Sequence, residues 1–237
     1  MSKGEIILIT HSVLADPGAV RSMLSYMDYK TTVCCPLLGD KLPEFIEGHP
    51  QGYKASIIFG GPMMVSDATS MDFLASEMSW IETHLSSTTP ILGICLGAQM
   101  IAHVLGARIW KDPNGMREIG YHTIQSTIAG RYIFPQSLKA YQWHSEGFDL
   151  PFNAELLATS NSVFQNQAFR YGTKVYAVQF HPEMTQTTME RWITSDTGAP
   201  QLALPGAQNA DDQRKQAIVN NDKMLKWLKS FLAEWLS

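Results

Sequence analysis

The chain has 237 residues, 45% hydrophobic and 17% charged, an ordinary globular composition that is long enough to bury a large core. Its formal net charge is -4 and its 18 lysines and arginines form no runs, which argues against a nucleic-acid partner. No stretch approaches the roughly 20 apolar residues of a membrane helix, and the N-terminus enters a strand pattern instead of a signal peptide. We therefore expect one cytoplasmic domain over residues 1–237, with neither a membrane nor nucleic acid as partner.

The first half alternates short apolar runs with helical patterns, which is typical of a mostly parallel sheet flanked by helices. Strands are predicted at residues 5–10, 31–35, 53–59 and 89–94. Helices are predicted at residues 19–29, at 70–86 with Thr69 and Asp72 as a capping box, and from Cys95 to near Gly106. Three cysteines are an odd count, so no disulfide framework is expected, and Cys34 and Cys35 are predicted to be small buried residues.

The second half contains short β-like runs separated by glycine, proline and asparagine, which favours antiparallel hairpins. These runs are residues 121–126, 131–134, 140–144, 155–159, 163–170 and 174–180. A helix is predicted after Pro182, and a polar segment at about 195–210 precedes a last amphipathic helix. The apolar stripe of that helix predicts core packing and consists of Met224, Leu225, Leu228, Phe231, Leu232 and Trp235. The fold class is thus α/β, an open mostly parallel sheet with a small antiparallel extension in the second half.

The segment Gly93-Ile94-Cys95-Leu96-Gly97 has the form of a nucleophile elbow, since a predicted strand precedes it and a helix follows it. The glycines let the backbone turn sharply, while the cysteine side chain projects from the edge of the sheet. The N-terminus of a helix also favours the reactive thiolate over the thiol. Taken alone, the motif is moderate evidence, and its alternative is a buried cysteine at a helix start with glycines that serve only a turn.

Two further motifs are expected at the same edge of the sheet. Gly60-Gly61-Pro62 follows the third predicted strand, where a glycine pair can present backbone N–H groups to an oxyanion, although ordinary turns use the same residues. In Gln179-Phe180-His181-Pro182-Glu183, the histidine and the glutamate are two residues apart and project to the same side of an extended segment. A carboxylate beside an imidazole fixes its tautomer and supports the imidazolium, which the base of a nucleophilic cysteine requires.

In this order, FGGPM, GICLGAQ and QFHPE resemble the three motif blocks of class I glutamine amidotransferase, or triad glutaminase, domains. The resemblance extends from the first strand to about residue 190 and implies a flavodoxin-like sheet. It implies that Cys95 is the nucleophile, His181 the general base and acid, and Glu183 the residue that orients the histidine. It further implies an oxyanion hole made by the N–H groups of Gly61 and Leu96, and a glutamine pocket lined by Gly60 and Gln99.

Looser matches connect the chain with stand-alone glutaminase-like proteins of a GMP-synthase-like group. These matches are His11 with Pro17-Gly18, and residues 118–120, 142–144, 148–151 and 167–170. By this comparison, the backbone around His144 and Ser145 approaches the α-carboxylate or α-amine of bound glutamine. Such relatives tend to carry Gly-Asp after the Trp-His pair, whereas this sequence has Ser145-Glu146.

The implied reaction is hydrolysis of the γ-amide of glutamine through a γ-glutamyl thioester, and it needs no metal or organic cofactor. The other histidines show no metal-ligand spacing with the cysteines, so no metal site is predicted. Three functions stay open. The sequence holds no G-x-x-x-x-G-K-[ST] loop, so a glutaminase would pass ammonia to a synthetase in trans. The chain could instead be a free-standing hydrolase of γ-glutamyl amides or peptides, or a non-catalytic regulatory module of the same fold.

Overall fold

The computed structural model describes residues 2–12 and 16–237. The expectation of one domain over residues 1–237 also includes Met1 and residues 13–15, which lie outside the described residues. Within the first half, short apolar runs form strands and the segments between them with helical periodicity form helices. In chain order these are β1 (Glu5–Ile9), α1 (Gly18–Tyr26), β2 (Lys30–Cys34), β3 (Phe45–Ile46), β4 (His49–Pro50), β5 (Ala55–Ile58), α2 (Asp72–Leu85), β6 (Ile91–Ile94) and α3 (Leu96–Val104).

The second half is mostly β-structure, as its glycine- and proline-separated runs predict. Its elements are β7 (Ile109–Lys111), β8 (Glu118–Ser126), β9 (Ser137–His144), β10 (Glu146–Phe148), β11 (Ala154–Ser160), β12 (Asn166–Tyr171), β13 (Val175–Val178), α4 (Gln186–Thr194) and α5 (Ala210–Trp235). The short strands β7 and β10 pair with each other in a separate antiparallel ribbon. That ribbon was not predicted from the sequence.

One nine-stranded sheet runs through both halves of the chain, in the order β2-β1-β5-β6-β13-β12-β11-β8-β9. The strands from β2 to β13 in this order run parallel, and those from β13 to β9 pair antiparallel. The fold is therefore α/β, as predicted. Every residue of β5, β6 and β13 is buried, as a parallel sheet with both faces covered requires.

Helices cover the two faces of the sheet. One face packs against α1 and α5, and the other packs against α2 and α3. The apolar stripe of α5 is part of the core on its face, which confirms the predicted packing of that helix. Among the described residues, no helix combines the length and the apolar character that crossing a membrane would require.

The parallel register places the carboxyl ends of β1, β5, β6 and β13 at one edge of the sheet. The segments that follow these strands hold the three sequence motifs, so the motifs meet at that edge, where open α/β sheets bind ligands. Cys34 and Cys35 lie at the end of β2 and are buried, as predicted. Neither forms a disulfide bond with another described residue.

Two local predictions are wrong. Residues 131–134 form a turn in place of the predicted strand, because the N–H groups of Ile133 and Phe134 both donate to the carbonyl of Gly130. The apolar character of this turn serves packing against α5, since the Phe134 ring stacks on Trp227 with centroids 5.0 Å apart.

The capping box predicted from Thr69 and Asp72 is also absent. Helix α2 begins at Asp72 with Met71 as its N-cap residue. Thr69 instead ends a short 3-10 helix (Val65–Thr69). There, the Asp67 carboxylate accepts a hydrogen bond from the Met64 N–H at 2.8 Å, so a local turn competes successfully with the longer helix.

Candidate active site

Cys95 occupies the sharp turn between β6 and α3. Its φ of 52° and ψ of -107° are unusual for a residue with a Cβ atom and indicate backbone strain of the kind found at functional sites. The turn depends on glycine neighbours: a Cβ at Gly97 would lie 2.3 Å from the carbonyl oxygen of Ile58, and one at Gly93 would lie 2.6 Å from that of Gly97. The Cys95 N–H donates to the carbonyl of Val178 at 2.9 Å, which ties the turn to β13.

His181 and Glu183 form a buried pair just beyond the end of β13. The His181 Nδ1–H donates to Glu183 Oε1 at 2.7 Å, and the two side chains are 3% and 6% exposed. Backbone hydrogen bonds fix both residues: the His181 N–H donates to the carbonyl of Tyr141, and the Glu183 carbonyl accepts from the Ala19 N–H. The imidazole therefore carries a hydrogen at Nδ1 and has a defined orientation.

Gly60 lies between the cysteine and the histidine. A Cβ at this position would lie 2.9 Å from His181 Cε1 and 3.4 Å from Cys95 Cβ, so the two side chains pack against the same glycine. On the other side, the Trp192 ring meets the His181 ring edge-on with centroids 5.0 Å apart. The Cys95 Sγ lies 4.0 Å from the carbonyl oxygen of Trp143.

The charge state of His181 follows from these neighbours. Burial by itself lowers the pKa of His181, but the charge interactions and hydrogen bonds with Glu183 and Cys95 outweigh it and raise the pKa to about 10. The histidine is thus an imidazolium at neutral pH. Its buried Nε2 atom forms no hydrogen bond of normal geometry with another described residue, although the Cys95 side chain is close enough to contribute to the rise in its pKa.

Gly61 and Leu96 contribute two backbone N–H groups to the same space. Leu96 is the first residue of α3, where the N–H has no partner within the helix. Within residues 2–12 and 16–237, no carbonyl or side chain accepts a hydrogen bond from either N–H group. Two unpaired donors beside a cysteine side chain are the arrangement that an oxyanion hole needs.

These groups open into a cleft of about 560 Å³. Every site residue predicted from the sequence lines it: Gly60, Gly61, Cys95, Leu96, Gln99, His144, Ser145, His181 and Glu183. The structure therefore brings together motifs that are separated by more than 120 residues in the chain, the first at Gly60 and the last at Glu183.

Gln99 and His144 use much of their hydrogen-bonding capacity within the protein. The Gln99 Nε2 donates to the carbonyl of Glu146 at 3.0 Å and to Gln179 Oε1 at 3.2 Å. The His144 Nδ1–H donates to the same Glu146 carbonyl at 2.8 Å, and its Nε2 lies 2.9 Å from Glu118 Oε2. The His144 imidazole is thus held by the fold, which leaves its backbone for the cleft.

The sequence analysis missed the wall of the cleft that follows β13. Arg191 and Trp192 of α4 line this wall, together with Arg117, which immediately precedes β8. Arg117 donates to Gln201 Oε1 at 3.2 Å, and no carboxylate among the described residues forms a salt bridge with Arg117 or Arg191. In the sequence, the feature that could have indicated this wall is the Arg191-Trp192 pair on the helix predicted after Pro182.

Comparisons with known proteins indicate which family the chain resembles. The family model described as glutamine amidotransferase class-I matches residues 27–198. The glutamine amidotransferase-like protein YfeJ of Salmonella typhimurium is 28% identical over 229 residues, which cover 92% of this chain and 88% of that protein. A separate subunit of the glutamine-hydrolysing GMP synthase of Thermoplasma volcanium is 31% identical over 185 residues, which cover 76% of this chain and 83% of that protein.

Comparison of the folds also shows similarity to a glutamine amidotransferase. The crystal structure of a glutamine amidotransferase from Thermotoga maritima matches with a TM-score of 0.87 and 29% sequence identity, and the match covers 100% of both chains. Against three longer GMP synthases, in contrast, the matched region covers only 25% to 32% of their length.

Proposed function

Because the chain belongs to the class I glutamine amidotransferase family, we propose that it hydrolyses the γ-amide of glutamine to glutamate and ammonia with Cys95, His181 and Glu183 as its triad. One observation carries the proposal. Cys95 sits in a strained turn and packs on the same glycine as an imidazole that a carboxylate holds at 2.7 Å. A cysteine that is buried only for stability would require neither the strain nor the ion pair.

The first half of the reaction forms a thioester. The Cys95 thiolate attacks the γ-carbonyl carbon of glutamine, and the N–H groups of Gly61 and Leu96 stabilise the resulting oxyanion. The His181 Nε2–H then donates its proton to the amide nitrogen, the C–N bond breaks, and ammonia leaves. The products of this half are a γ-glutamyl thioester and a neutral His181 that is still oriented by Glu183.

The second half hydrolyses the thioester. Neutral His181 accepts a proton from a water molecule while the water oxygen attacks the thioester carbon, and the same two N–H groups stabilise the oxyanion again. The C–S bond breaks and returns the Cys95 thiolate beside a protonated His181. Glutamate leaves after its new carboxyl group loses a proton to solvent, so no oxidant, metal or cofactor enters the cycle.

The ammonia can be used by a synthetase on a separate chain. The support for this proposal is the similarity to a GMP synthase that is divided into subunits, since the similar subunit matches over most of its length. The sequence also has no Walker-type nucleotide loop, so the described residues offer no site of that kind for activating an acceptor with a nucleotide.

A second candidate function is hydrolysis of γ-glutamyl amides or peptides whose amine portion carries a carboxylate. It is favoured by Arg117 and Arg191, which line the cleft without a carboxylate partner among the described residues. Since His181 protonates the leaving nitrogen and packs on Trp192, a substituent on that nitrogen would extend along the wall that Arg191 lines. The cleft volume of about 560 Å³ lies within the range that drug-sized ligands occupy and exceeds what glutamine alone would fill.

The test is release of ammonia and glutamate by the purified protein from L-glutamine, beside a panel of γ-glutamyl peptides, with Cys95→Ala as control. Release from glutamine that the control lacks is the expected outcome. Release only from the peptides, reduced in an Arg191→Gln variant, would favour the second candidate. If no substrate gives measurable product while a thiol reagent labels Cys95, hydrolysis by the isolated chain is refuted. The regulatory module would then be the better interpretation.

A further inference from the structure

A buried ion pair lies directly behind the Gly60-Gly61 segment. His11 follows β1 and Glu77 lies on α2, and both side chains are 0% exposed. The His11 Nε2 lies 3.1 Å from both carboxylate oxygens of Glu77. The opposite ring nitrogen, Nδ1, lies 3.3 Å from the carbonyl oxygen of Gly60.

The partners of His11 determine where its protons are. A carbonyl oxygen can only accept a hydrogen bond, so Nδ1 carries a hydrogen and donates it to Gly60. The Nε2 atom faces a carboxylate, which favours a hydrogen there as well. Burial lowers the pKa of His11, but the hydrogen bond and charge of Glu77 and the carbonyls of Gly60 and Phe59 outweigh it and raise the pKa. Both ring nitrogens of His11 thus have partners that favour the protonated form of the ring.

Stability alone does not account for this pair. Removing two charges from water costs several kcal/mol per ion, and apolar residues of similar volume often replace buried ion pairs without loss. The His181 imidazole does not use Glu77 as its carboxylate, because it has Glu183. What the pair does contact is the peptide group that joins Gly60 to Gly61.

That peptide group has one oxygen and one N–H, and they point in opposite directions. Peptide bonds are planar, and no described residue has a cis peptide bond. When His11 binds the Gly60 oxygen, it therefore directs the Gly61 N–H to the side away from His11. A Cβ at Gly61 would lie 2.6 Å from His11 Cβ, so the side of this peptide that faces His11 is closely packed. The Gly61 N–H faces the other side, where Gly61 lines the cleft.

We propose that His11 and Glu77 are positioning residues that fix the Gly60–Gly61 peptide with its N–H directed at the substrate oxyanion. A pair of glycines can rotate its shared peptide more easily than other residues, so without His11 the carbonyl oxygen could turn into the site and repel the oxyanion. With His11 in place, the oxyanion hole is complete before substrate or a partner binds. The inference rests on the proposed hydrolysis for its kinetic test, but its structural test is independent of activity.

The kinetic test compares two double variants that both remove the buried charges. In His11→Asn with Glu77→Gln, the asparagine Nδ2–H occupies the place of the imidazole Nδ1–H and can still donate to the Gly60 carbonyl. In His11→Leu with Glu77→Met, the volume is similar but the donor is gone. Loss of one oxyanion-hole donor typically lowers kcat by about 10²- to 10³-fold, and we expect that loss in the second variant with KM changed only a few-fold. The first variant is expected to lose less than about tenfold, because it keeps the donor.

Alkylation of Cys95 by iodoacetamide provides the matched readout for the rest of the site. This reaction displaces iodide at a tetrahedral carbon and forms no oxyanion, so both double variants are expected to react at the rate of the unmodified protein. A role in stability alone would instead reduce alkylation, kcat and the melting temperature together. Equal kcat losses in the two variants, or no loss in His11→Leu with Glu77→Met, would overturn the proposal.

Crystal structures of the unmodified protein and of the His11→Leu, Glu77→Met variant test the same inference without turnover. The Gly60 oxygen is expected to face His11 in the first and to rotate or become disordered in the second. If the peptide keeps its orientation without His11, the inference fails even if the protein hydrolyses glutamine. If the protein is inactive on all γ-glutamyl substrates but the peptide rotates as expected, the proposed function fails and the positioning role holds.

Discussion

The two halves of the sheet hold their parts of the cleft by different means. In the parallel half, glycines allow close contacts, as Gly60 does for the side chains of Cys95 and His181, and as Gly97 does against the backbone of Ile58. In the antiparallel half, buried polar side chains hold the segment around residues 144–146. The Glu118 Oε2 accepts from Gln167 Nε2 at 3.0 Å and lies 2.9 Å from His144 Nε2.

This difference has a functional consequence. Close backbone packing leaves little freedom, so the parallel half suits the groups that must hold sub-ångström geometry during bond making and breaking. The polar side chains of a hydrogen-bonded network can be substituted while the backbone pairing of the strands is kept. The antiparallel half therefore suits a segment that selects substrate. We therefore expect substitutions in the parallel half to lower kcat and those in the antiparallel half to raise KM.

The largest effect is expected from Glu183→Gln, which keeps the shape of the side chain and removes its charge. Without that charge, burial dominates and the pKa of His181 falls from about 10. Loss of the orienting carboxylate lowers kcat by about 10³- to 10⁴-fold in sites of this kind. The measurements are kcat and an NMR titration of the His181 ring.

The matched control is Glu82→Gln, an exposed glutamate on α2, which should leave both quantities unchanged. In the unmodified protein, the imidazolium is expected to persist through neutral pH and to lose its proton near pH 10. A His181 titration that is the same in Glu183→Gln would show that the carboxylate does not set the charge of the base.

A smaller loss is expected from Gly60→Ala, which adds one methyl group between the cysteine and the histidine. The new carbon would lie 2.9 Å from His181 Cε1, so one of the two side chains must shift. Misplacement by about 1 Å can cost about 10² in rate, and we expect a kcat loss of that order with KM nearly unchanged.

The control for this glycine is Gly115→Asn. Gly115 has a φ of 72°, which asparagine tolerates, and a Cβ there would meet no atom within 4 Å. Steady-state kinetics on both variants test the comparison. A rise in KM without loss of kcat in Gly60→Ala would mean that the parallel half also selects the substrate.

In the antiparallel half, His144→Leu is expected to raise KM by about tenfold, while kcat changes less. The Glu118 side chain loses one of its buried hydrogen-bond partners, which costs about 1 to 3 kcal/mol, toward the low end because Gln167 still donates to it. Urea unfolding measures the free-energy change. In the double variant His144→Leu with Glu118→Leu, stability should recover in part, whereas KM should stay high because the Glu146 carbonyl still lacks the His144 donor.

The same contrast explains which features the sequence could predict. The triad motifs follow apolar strands, so their meeting at one edge follows from the parallel order, and all the predicted site residues line one cleft. The β7 and β10 ribbon and the His11–Glu77 pair join residues far apart in sequence, and no local pattern marks such contacts. Glu77 lies three residues after Leu74 and four before Ile81, so helical periodicity places it on the buried face of α2, but the sequence does not indicate which residue is its partner.

The smallest effect is expected from Ser145→Ala. Ser145 lines the cleft, and by the resemblance its backbone is the part that approaches the α-carboxylate or α-amine of the substrate. Removing only the hydroxyl should then change the free energy of substrate binding by no more than about 0.5 kcal/mol, or roughly twofold in KM. Ser145→Gly, which introduces the glycine that the resemblance suggests for this position, is the matched variant. If both variants raise KM for glutamine tenfold or more, the hydroxyl itself binds substrate, and Ser145 with Glu146 would then set the substrate preference of this chain.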